Sequence, residues 1–210
     1  MIQHWKVKSK KRRIPVKVLG RKKMDQLLNG NHQGIAACID DYKTWELEEL
    51  LESVPQGKQP LLVMLDGLED PHNLGAILRT CDCIRADGVI IGKHRNVRLT
   101  PTVAKVSTGA IDTVKVSVVT NLVQAIKYLK KQGYWVVGTD FENSRDYREG
   151  QYDVPLVLVI GSEGFGISSL VKKNCDYCVR LPMEGSVSSL NASVAAGILL
   201  YQIHAQRHPL

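Results

Sequence analysis

Three segments of this 210-residue chain carry polar side chains, glycines and prolines that a packed core does not need. The first, residues 66–80, places Asn73 and Arg79 on a predicted helix that follows a strand and a polar turn. Six residues are fewer than two helical turns, so we expect both side chains within roughly 60° of one helix face. An amide and a guanidinium at a helix start suit an anionic oxygen. The alternatives are a helix cap at Asn73 and a surface ion pair at Arg79.

The second segment, residues 161–167 (GSEGFGI), is rich in glycine, which lets the backbone approach a ligand closely. Its glycine order is GxxGxG rather than GxGxxG, and no GK[ST] follows, so it is a poor match to dinucleotide and P-loop motifs. Glu163 stands between the glycines, either as a hydrogen-bond acceptor in a site or as a simple turn residue.

The third segment, residues 181–195, is a Pro–Gly loop with several hydroxyl groups that runs into an Ala- and Gly-rich helix. The small residues permit close packing against another element. Polar side chains exceed what helix capping requires at four positions, Ser188, Ser189, Asn191 and Ser193. A plain capped helix is the alternative for this segment taken alone.

Positive charge is concentrated at the N-terminus. The chain has a net charge of +7, with 28 Lys and Arg against 21 Asp and Glu. Residues 1–23 hold ten of the basic residues and no acidic one, which leaves 18 basic against 21 acidic, a net charge of −3, for residues 24–210. Such a patch attracts phosphate backbones or anionic membranes, and a solvated face or a targeting segment is the alternative.

Composition excludes several classes of protein. With 44% hydrophobic and 23% charged residues the chain is neither disordered nor fibrous. The sequence contains no apolar run of signal-peptide or transmembrane length, so we expect a cytoplasmic location and no membrane partner. Five cysteines are an odd number and sparse for a disulfide framework. Cys175 and Cys178 have CxxC spacing without a second CxxC, and we predict buried, reduced thiols and no metal site.

From residue 61 onward, short apolar runs alternate with helical patterns. We predict strands over 61–65, 88–91, 113–118, 134–138, 156–160 and 177–181. We predict helices over 73–85, 100–107, 121–131, 168–173 and 188–206. This alternation predicts an α/β fold with a mostly parallel sheet flanked by helices, in which ligands bind beyond the carboxyl ends of the strands.

The N-terminal region is too short for a complete domain. We predict a small piece with strands at 14–18 and 34–39 around a helix at 22–28, followed by a connector with a short helix at 45–53. The expected organisation is a partial RNA-binding segment over residues 1–40, a linker over 41–57 and a catalytic domain over 58–210.

Taken together and in this order, the three polar segments resemble the SpoU/TrmH branch of the SPOUT superfamily, which are RNA ribose 2'-O-methyltransferases. The matching stretches are 71–80 (PHNLGAILRT), 161–167 (GSEGFGI) and 181–195 (LPMEGSVSSLNASVA), and the resemblance covers residues 58–207. Within the branch, the chain looks most like the bacterial 23S rRNA guanosine 2'-O-methyltransferases. Residues 31–34 and the piece before them resemble the end of the L30-like RNA-binding domain of those enzymes, of which most is absent here.

The resemblance implies a deep trefoil knot at the C-terminal end of the sheet, a homodimer whose interface includes the last helix, and S-adenosylmethionine as cofactor. It places the cofactor's adenosine near Gly138, Thr139, Gly161, Leu181 and Leu190. The family's functional positions are occupied here by Asn73, Arg79, Glu163, Ser189 and Asn191. The candidate RNA-binding residues of the N-terminal basic patch are Lys10, Lys11, Arg12, Arg13, Arg21, Lys22 and Lys23.

The implied reaction moves a methyl group from a sulfonium to a ribose hydroxyl of structured RNA, with a guanosine of 23S rRNA as the expected target. Arg79 is the family's candidate for activating the hydroxyl, but a guanidinium is a very poor base. We therefore expect Arg79 to orient the hydroxyl or stabilise the alkoxide, Asn73 to help hold the phosphate, and Glu163 with Asn191 to fix the loops and Arg79. The alternatives are a tRNA ribose methyltransferase and a catalytically silent RNA-binding protein.

Overall fold

The computed structural model describes residues 13–28, 32–38, 40–55 and 57–209. The chain forms two compact units, Met1–Asp41 and Tyr42–Leu210. Among the described residues we find no helix with the length and hydropathy that a membrane crossing demands.

The described part of the first unit contains one helix, α1 (Arg21–Leu27), and no strand. The helix agrees with the prediction, but the strand at 14–18 is wrong, and so is the described part of the strand at 34–39. Ile14, Val16 and Val18 alternate along the sequence, yet all three side chains are exposed. Alternation produces a strand only where a neighbouring strand and an apolar layer are available, and the described residues of this unit provide neither.

Of the residues that we predict as a linker, 41–57, the described ones from Tyr42 onward belong to the second unit. They include α2 (Leu47–Glu52), whose Leu47 and Leu50 are buried in the core. Trp45 forms an isolated parallel bridge with Ser117. The domain boundaries stay a prediction, and the structure assigns the stretch from Tyr42 onward to the second unit.

The second unit is built on a seven-stranded sheet in which every pairing is parallel, which confirms the predicted fold class. The strands are β1 (Leu61–Asp66), β2 (Gly88–Gly92), β3 (Val116–Val119), β4 (Trp135–Thr139), β5 (Arg145–Asp146), β6 (Leu156–Gly161) and β7 (Tyr177–Arg180). Their order across the sheet is β3-β2-β1-β6-β4-β7-β5. Because β6 lies between β1 and β4, the segments that follow these three strands leave the sheet side by side.

Helices cover both faces of the sheet. One face carries α3 (Pro71–Cys83), α4 (Pro101–Ser107), α5 (Ala110–Thr113) and α8 (Ala192–Arg207), and the other carries α2, α6 (Leu122–Lys131) and α7 (Ser169–Asn174). Strand side chains alternate between the two layers: Leu61, Val63 and Leu65 contribute to the first, Leu62 and Met64 to the second. Both faces are buried, which explains why these strands appear in the sequence as continuous apolar runs.

The structure departs from the predicted elements at several ends. Residues 110–113 are helical, so β3 begins at Val116 instead of residue 113. The last helix begins at Ala192 instead of residue 188, because Asn191 caps it from an extended conformation. The two-residue edge strand β5 and the single 3₁₀ turn after it, Tyr147–Glu149, were not predicted. The trefoil knot stays an expectation from the resemblance.

One guanidinium bonds the end of the last helix to two loops. Arg207 donates to three backbone carbonyls: from Nε to Tyr152 at 2.9 Å, from Nη1 to Gln59 at 2.8 Å and from Nη2 to Val154 at 2.6 Å. Partial burial of the guanidinium lowers the pKa of Arg207 from its ordinary value. The side chain therefore holds the end of α8 against the segments that lead into β1 and β6.

We expect Arg207→Met to lower the free energy of unfolding by about 2 kcal/mol, because three carbonyls lose a charged donor. Arg148→Ala is the matched control, since this guanidinium pairs with Asp146 at the surface and its loss has little effect. Urea denaturation of both variants measures the difference. Equal stability of the two variants would contradict a structural role for Arg207.

Candidate functional site

Loops that leave the carboxyl edge of β4, β6 and β7 meet around a cavity of about 470 Å³. This volume lies in the range of sites that bind small molecules. Four of the five predicted cofactor-binding residues line the cavity, namely Thr139, Gly161, Leu181 and Leu190. The fifth, Gly138, does not line it. A Cβ on Gly138 would contact Ile167, Cys175 and Cys178, which lie on the side of β4 away from the cavity lining.

The glycine loop after β6 folds back on the strand end as a tight turn. Ser162 and Gly166 exchange two backbone hydrogen bonds, Ser162 N–H to Gly166 O at 3.1 Å and Gly166 N–H to Ser162 O at 2.9 Å. A Cβ on Gly161 would lie 2.0 Å from the carbonyl carbon of Gly166, whose own φ is +65°. Both positions therefore require glycine. The GxxGxG order thus serves this turn and the cavity wall that it forms.

A single carboxylate oxygen joins the three polar segments predicted from the sequence. Glu163 Oε1 accepts from Asn73 Nδ2 at 2.9 Å, from Asn191 Nδ2 at 2.6 Å and from the Ala192 backbone N–H at 3.2 Å. Asn191 Nδ2 also donates to Asn73 Oδ1 at 2.8 Å. Hydrogen bonds to an ionised carboxylate are stronger than neutral ones. The cluster therefore holds α3, the glycine loop and α8 together.

Helix caps place these side chains. Asp70 caps α3 by accepting from His72 N–H at 2.8 Å, so the alternative that Asn73 is the cap is wrong. Asn73 is the third residue of the helix and is buried. Asn191 caps α8 with Oδ1, which accepts from the backbone N–H groups of Ser193 and Val194. Its Nδ2 is thereby turned toward Asn73 and Glu163.

Arg79 lies outside this cluster. Six residues at 100° each separate the Asn73 and Arg79 side chains by about 120° around α3, so each lies about 60° from the midpoint between them, with Asn73 buried and Arg79 exposed. Glu163 and Asn191 bond to Asn73 and not to Arg79. Arg79 is exposed and makes no hydrogen bond or ion pair with any residue that the structure describes, so it forms no surface ion pair there. The guanidinium is available to a ligand.

Residues after β4 also line the cavity and were missed in the sequence. Asp140 and Phe141 follow Thr139 directly, and Arg180 ends β7. Asp140 N–H donates to Val179 O at 3.1 Å, and Asp140 Oδ1 accepts from Phe141 N–H at 2.7 Å. The signal that could have found them is the one used elsewhere, a polar residue at the exit of an apolar strand. Ser189, which was predicted, lines the same cavity.

The CxxC pair lies beneath the cavity strand β4. Both thiols are free, with Cys178 buried and Cys175 half-buried. A hydrogen bond between them lowers the pKa of Cys178 to about 7, against the effect of burial, and raises the pKa of Cys175. Within the described ranges no group of three or more His, Cys, Asp or Glu side chains is arranged to hold a metal ion. Both sulfurs would lie 3.0 Å from a Cβ on Gly138, so the pair packs against this glycine.

Part of the predicted RNA-binding patch can be located. Its described members are exposed in the first unit: Arg13, Arg21, Lys22 and Lys23. Its other members lie outside the described residues: Lys10, Lys11 and Arg12.

Two family patterns match this chain. The SpoU rRNA Methylase family matches residues 60–201, and the pattern for RNA 2'-O ribose methyltransferase substrate binding matches residues 5–45. YacO of Bacillus subtilis, named as a TrmH-family tRNA/rRNA methyltransferase, is 48% identical over 203 residues, which are 96% of this chain and 82% of that protein. A TrmH-family tRNA/rRNA methyltransferase of Staphylococcus haemolyticus is 50% identical over 95% of this chain and 81% of its own length.

Solved structures are similar as well. The SpoU methyltransferase AviRb of Streptomyces viridochromogenes in complex with the cofactor AdoMet is 31% identical with a TM-score of 0.69, over 75% of this chain and 61% of AviRb. The AdoMet-bound rRNA methyltransferase of Sinorhizobium meliloti is 29% identical with a TM-score of 0.71, over 80% and 62% of the two chains. The TrmH/SpoU tRNA modifying enzyme of A. aeolicus is 32% identical with a TM-score of 0.66, over 77% and 82%.

We expect Glu163→Ala to lower the free energy of unfolding by about 1–3 kcal/mol, because the buried Asn73 amide and the start of α8 lose their shared acceptor. Glu163→Gln keeps an acceptor oxygen, and we expect it to lose less. Glu184→Ala is the control, since this carboxylate is exposed in the loop before α8 and has no described partner. Thermal unfolding ranks the three variants. A Glu163→Ala protein as stable as Glu184→Ala would show that the cluster does not hold the loops.

Proposed function

This chain belongs to the SpoU/TrmH family of S-adenosylmethionine-dependent RNA 2'-O-ribose methyltransferases, and we propose that its target is a guanosine of 23S rRNA. One observation carries the proposal: the Asn73–Glu163–Asn191 cluster lies beside a cavity formed by the strand-exit loops that resemble those of the 23S rRNA enzymes. The match of residues 60–201 to an rRNA methylase pattern supports rRNA as the target.

The residues around the cavity fit the cofactor. The wall combines the backbone of Gly161 with the apolar side chains of Leu181 and Leu190, which suits an adenosine. The carboxylate of Glu163 also lines it and favours a positive sulfonium, whereas the carboxylate of Asp140 lines it in an ion pair with Lys172. S-adenosylmethionine, when bound, supplies a methyl group that is already activated for transfer.

The protein's own side chains must orient the ribose hydroxyl and stabilise the oxyanion that forms as its proton passes to solvent. We assign this to Arg79, which is exposed and without a described partner. Because a guanidinium stays protonated, Arg79 binds the adjacent phosphate or stabilises the alkoxide and does not act as the base. Asn73 lies on another side of α3 and holds the loops through Glu163.

A second group of cations in the catalytic unit supports an RNA substrate. The segment between β2 and α4 exposes Lys93, Arg95 and Arg98, and none of them pairs with a described residue. Two hydrogen bonds fix this segment to the exit of β1, Leu68 N–H to Asn96 Oδ1 at 2.9 Å and Val97 N–H to Leu68 O at 2.7 Å. The three cations are therefore held close to the start of α3, where a phosphate backbone would pass.

We further propose that the enzyme is a cytoplasmic homodimer. Val194, Ile198 and Tyr201 form an exposed apolar stripe on α8, at 49%, 38% and 55% exposure. Their spacing of four and three residues puts them on one face. The family resemblance, which implies a dimer interface on this helix, supports the proposal.

A tRNA ribose is the second candidate substrate. The similarity to the A. aeolicus tRNA modifying enzyme extends over 82% of that chain and favours it. Transcripts of 23S rRNA and of total tRNA, incubated with tritiated S-adenosylmethionine, separate the two substrates. Mapping of 2'-O-methylation in cellular RNA with and without the gene then identifies the nucleotide. Label in tRNA alone would overturn the rRNA assignment, and binding of RNA without label would indicate a silent RNA-binding protein.

We expect Arg79→Ala to reduce methyl transfer by at least about 100-fold, because the transition state loses a fixed positive charge. Affinity for S-adenosylmethionine, measured by calorimetry, should stay within a few-fold, since Arg79 does not line the cavity. Arg85→Ala is the control: this arginine is also exposed, but it lies beyond the C-terminal end of α3. Near-normal turnover of Arg79→Ala would refute the assignment.

Replacing Lys10, Lys11, Arg12 and Arg13 with Ala should weaken RNA binding and reduce its dependence on salt, because each lost phosphate contact lowers the slope by about 0.7–0.9. The same change at Lys93, Arg95 and Arg98 should act in the same direction. Lys127 and Lys131, exposed on α6 on the other face of the sheet, provide the control pair. Binding titrations at several salt concentrations measure the slope of log K against log salt concentration. An unchanged slope would show that the substituted patch does not contact the RNA.

A further inference from the structure

Both phenylalanines of this chain line the cavity, and neither is buried. The sequence contains two, Phe141 after β4 and Phe165 in the glycine loop after β6. Phe141 is 52% exposed and Phe165 is 96% exposed. Phenylalanine is among the residues most often buried in proteins, and the core of this unit is built almost entirely from aliphatic side chains. A fully exposed ring at the mouth of a ligand cavity requires a separate explanation.

The backbone that carries Phe165 is held in place. The Ser162–Gly166 turn closes around it with two hydrogen bonds, and Phe165 N–H donates to Ser162 Oγ at 3.4 Å. Glu163, two positions earlier, is bonded to Asn73 and Asn191. The ring is therefore presented to solvent from a fixed backbone, so little ordering of the loop opposes contact with a ligand.

We propose that Phe165 is a stacking surface for a nucleobase of the RNA substrate next to the methylated ribose. Proteins recognise unpaired RNA bases by stacking them on aromatic side chains, because every base has a π-face. A ribose that reaches the cavity brings its base or a neighbouring base to the rim, where Phe165 lies. Arg180 lines the same cavity and supplies positive charge near the backbone of that RNA. The inference rests on the proposed function for its ligand and assigns a substrate-contact residue in the glycine loop.

Two alternative roles for the Phe165 ring lead to different experimental outcomes. A ring that covers the cofactor would change the affinity for S-adenosylmethionine and leave RNA affinity unchanged. A ring buried against a second copy of the chain would change the oligomeric mass. Leu170 provides a matched control, because it is 66% exposed on α7 and does not line the cavity.

The test uses the full chain and four substitutions, Phe165→Ala, Phe165→Leu, Phe165→Tyr and Phe165→Trp, with Leu170→Ala beside them. Fluorescence anisotropy with a labelled single-stranded RNA of about 20 nucleotides gives Kd for RNA, and calorimetry gives Kd for S-adenosylmethionine. We expect Ala and Leu at position 165 to raise Kd for RNA by about 5- to 100-fold, while Tyr and Trp stay within about threefold of the wild type. Affinity for S-adenosylmethionine, oligomeric mass and the Leu170→Ala protein should be unchanged.

Unchanged RNA affinity in Phe165→Ala overturns the proposal, and so does a Leu variant that binds RNA as well as the Tyr variant. A wild-type chain that does not bind the RNA probe overturns it too. Because RNA binding is measured without methyl transfer, failure of the proposed function can be distinguished from failure of the stacking proposal. A wild type that binds RNA but labels neither rRNA nor tRNA would refute the methyltransferase target, while aromatic dependence of binding would still support stacking at Phe165.

Discussion

The geometry of the site depends on one carboxylate oxygen, Oε1 of Glu163. It accepts hydrogen bonds from Asn73 in α3, from Asn191 before α8 and from the backbone of Ala192. The partners are 90, 28 and 29 positions away along the chain, so they come within hydrogen-bonding distance only once the sheet has folded. The cavity wall, the tight glycine turn and the direction of Phe165 all depend on a loop that these bonds hold.

The sheet order makes that meeting possible. Because β6 is paired with β1 along its whole length, Asp66 lies opposite Gly161, and the segments after both strands leave the same edge. Asp66 Oδ2 accepts the Ser168 N–H at 2.7 Å, which adds a second connection between these exits. Because the central strands are continuous apolar runs buried on both faces, the polar groups of the site lie beyond the strand ends.

The polar groups near the cavity divide into two sets with different roles. Asn73, Glu163 and Asn191 bond to one another and hold the loops. Arg79 and the cations of residues 93–98 have no described partner, so their charge is available to a ligand. Internal bonding keeps the first set at fixed positions, while the second set suits a phosphate backbone that arrives from solvent.

Local sequence determined the parallel α/β class and most element positions within a few residues, because apolar periodicity is a property of neighbouring residues. The resemblance of the strand-exit motifs to a known family supplied the family and six of the cavity residues. Local sequence was wrong about the strand at 14–18 and about the described part of the strand at 34–39, since alternation does not reveal whether a partner strand exists. Only the tertiary structure decided that β6 lies between β1 and β4, that Glu163 bonds to Asn73 rather than to Arg79, and that Phe165 stands in solvent. Those facts depend on contacts between residues far apart in the chain, which no local pattern encodes.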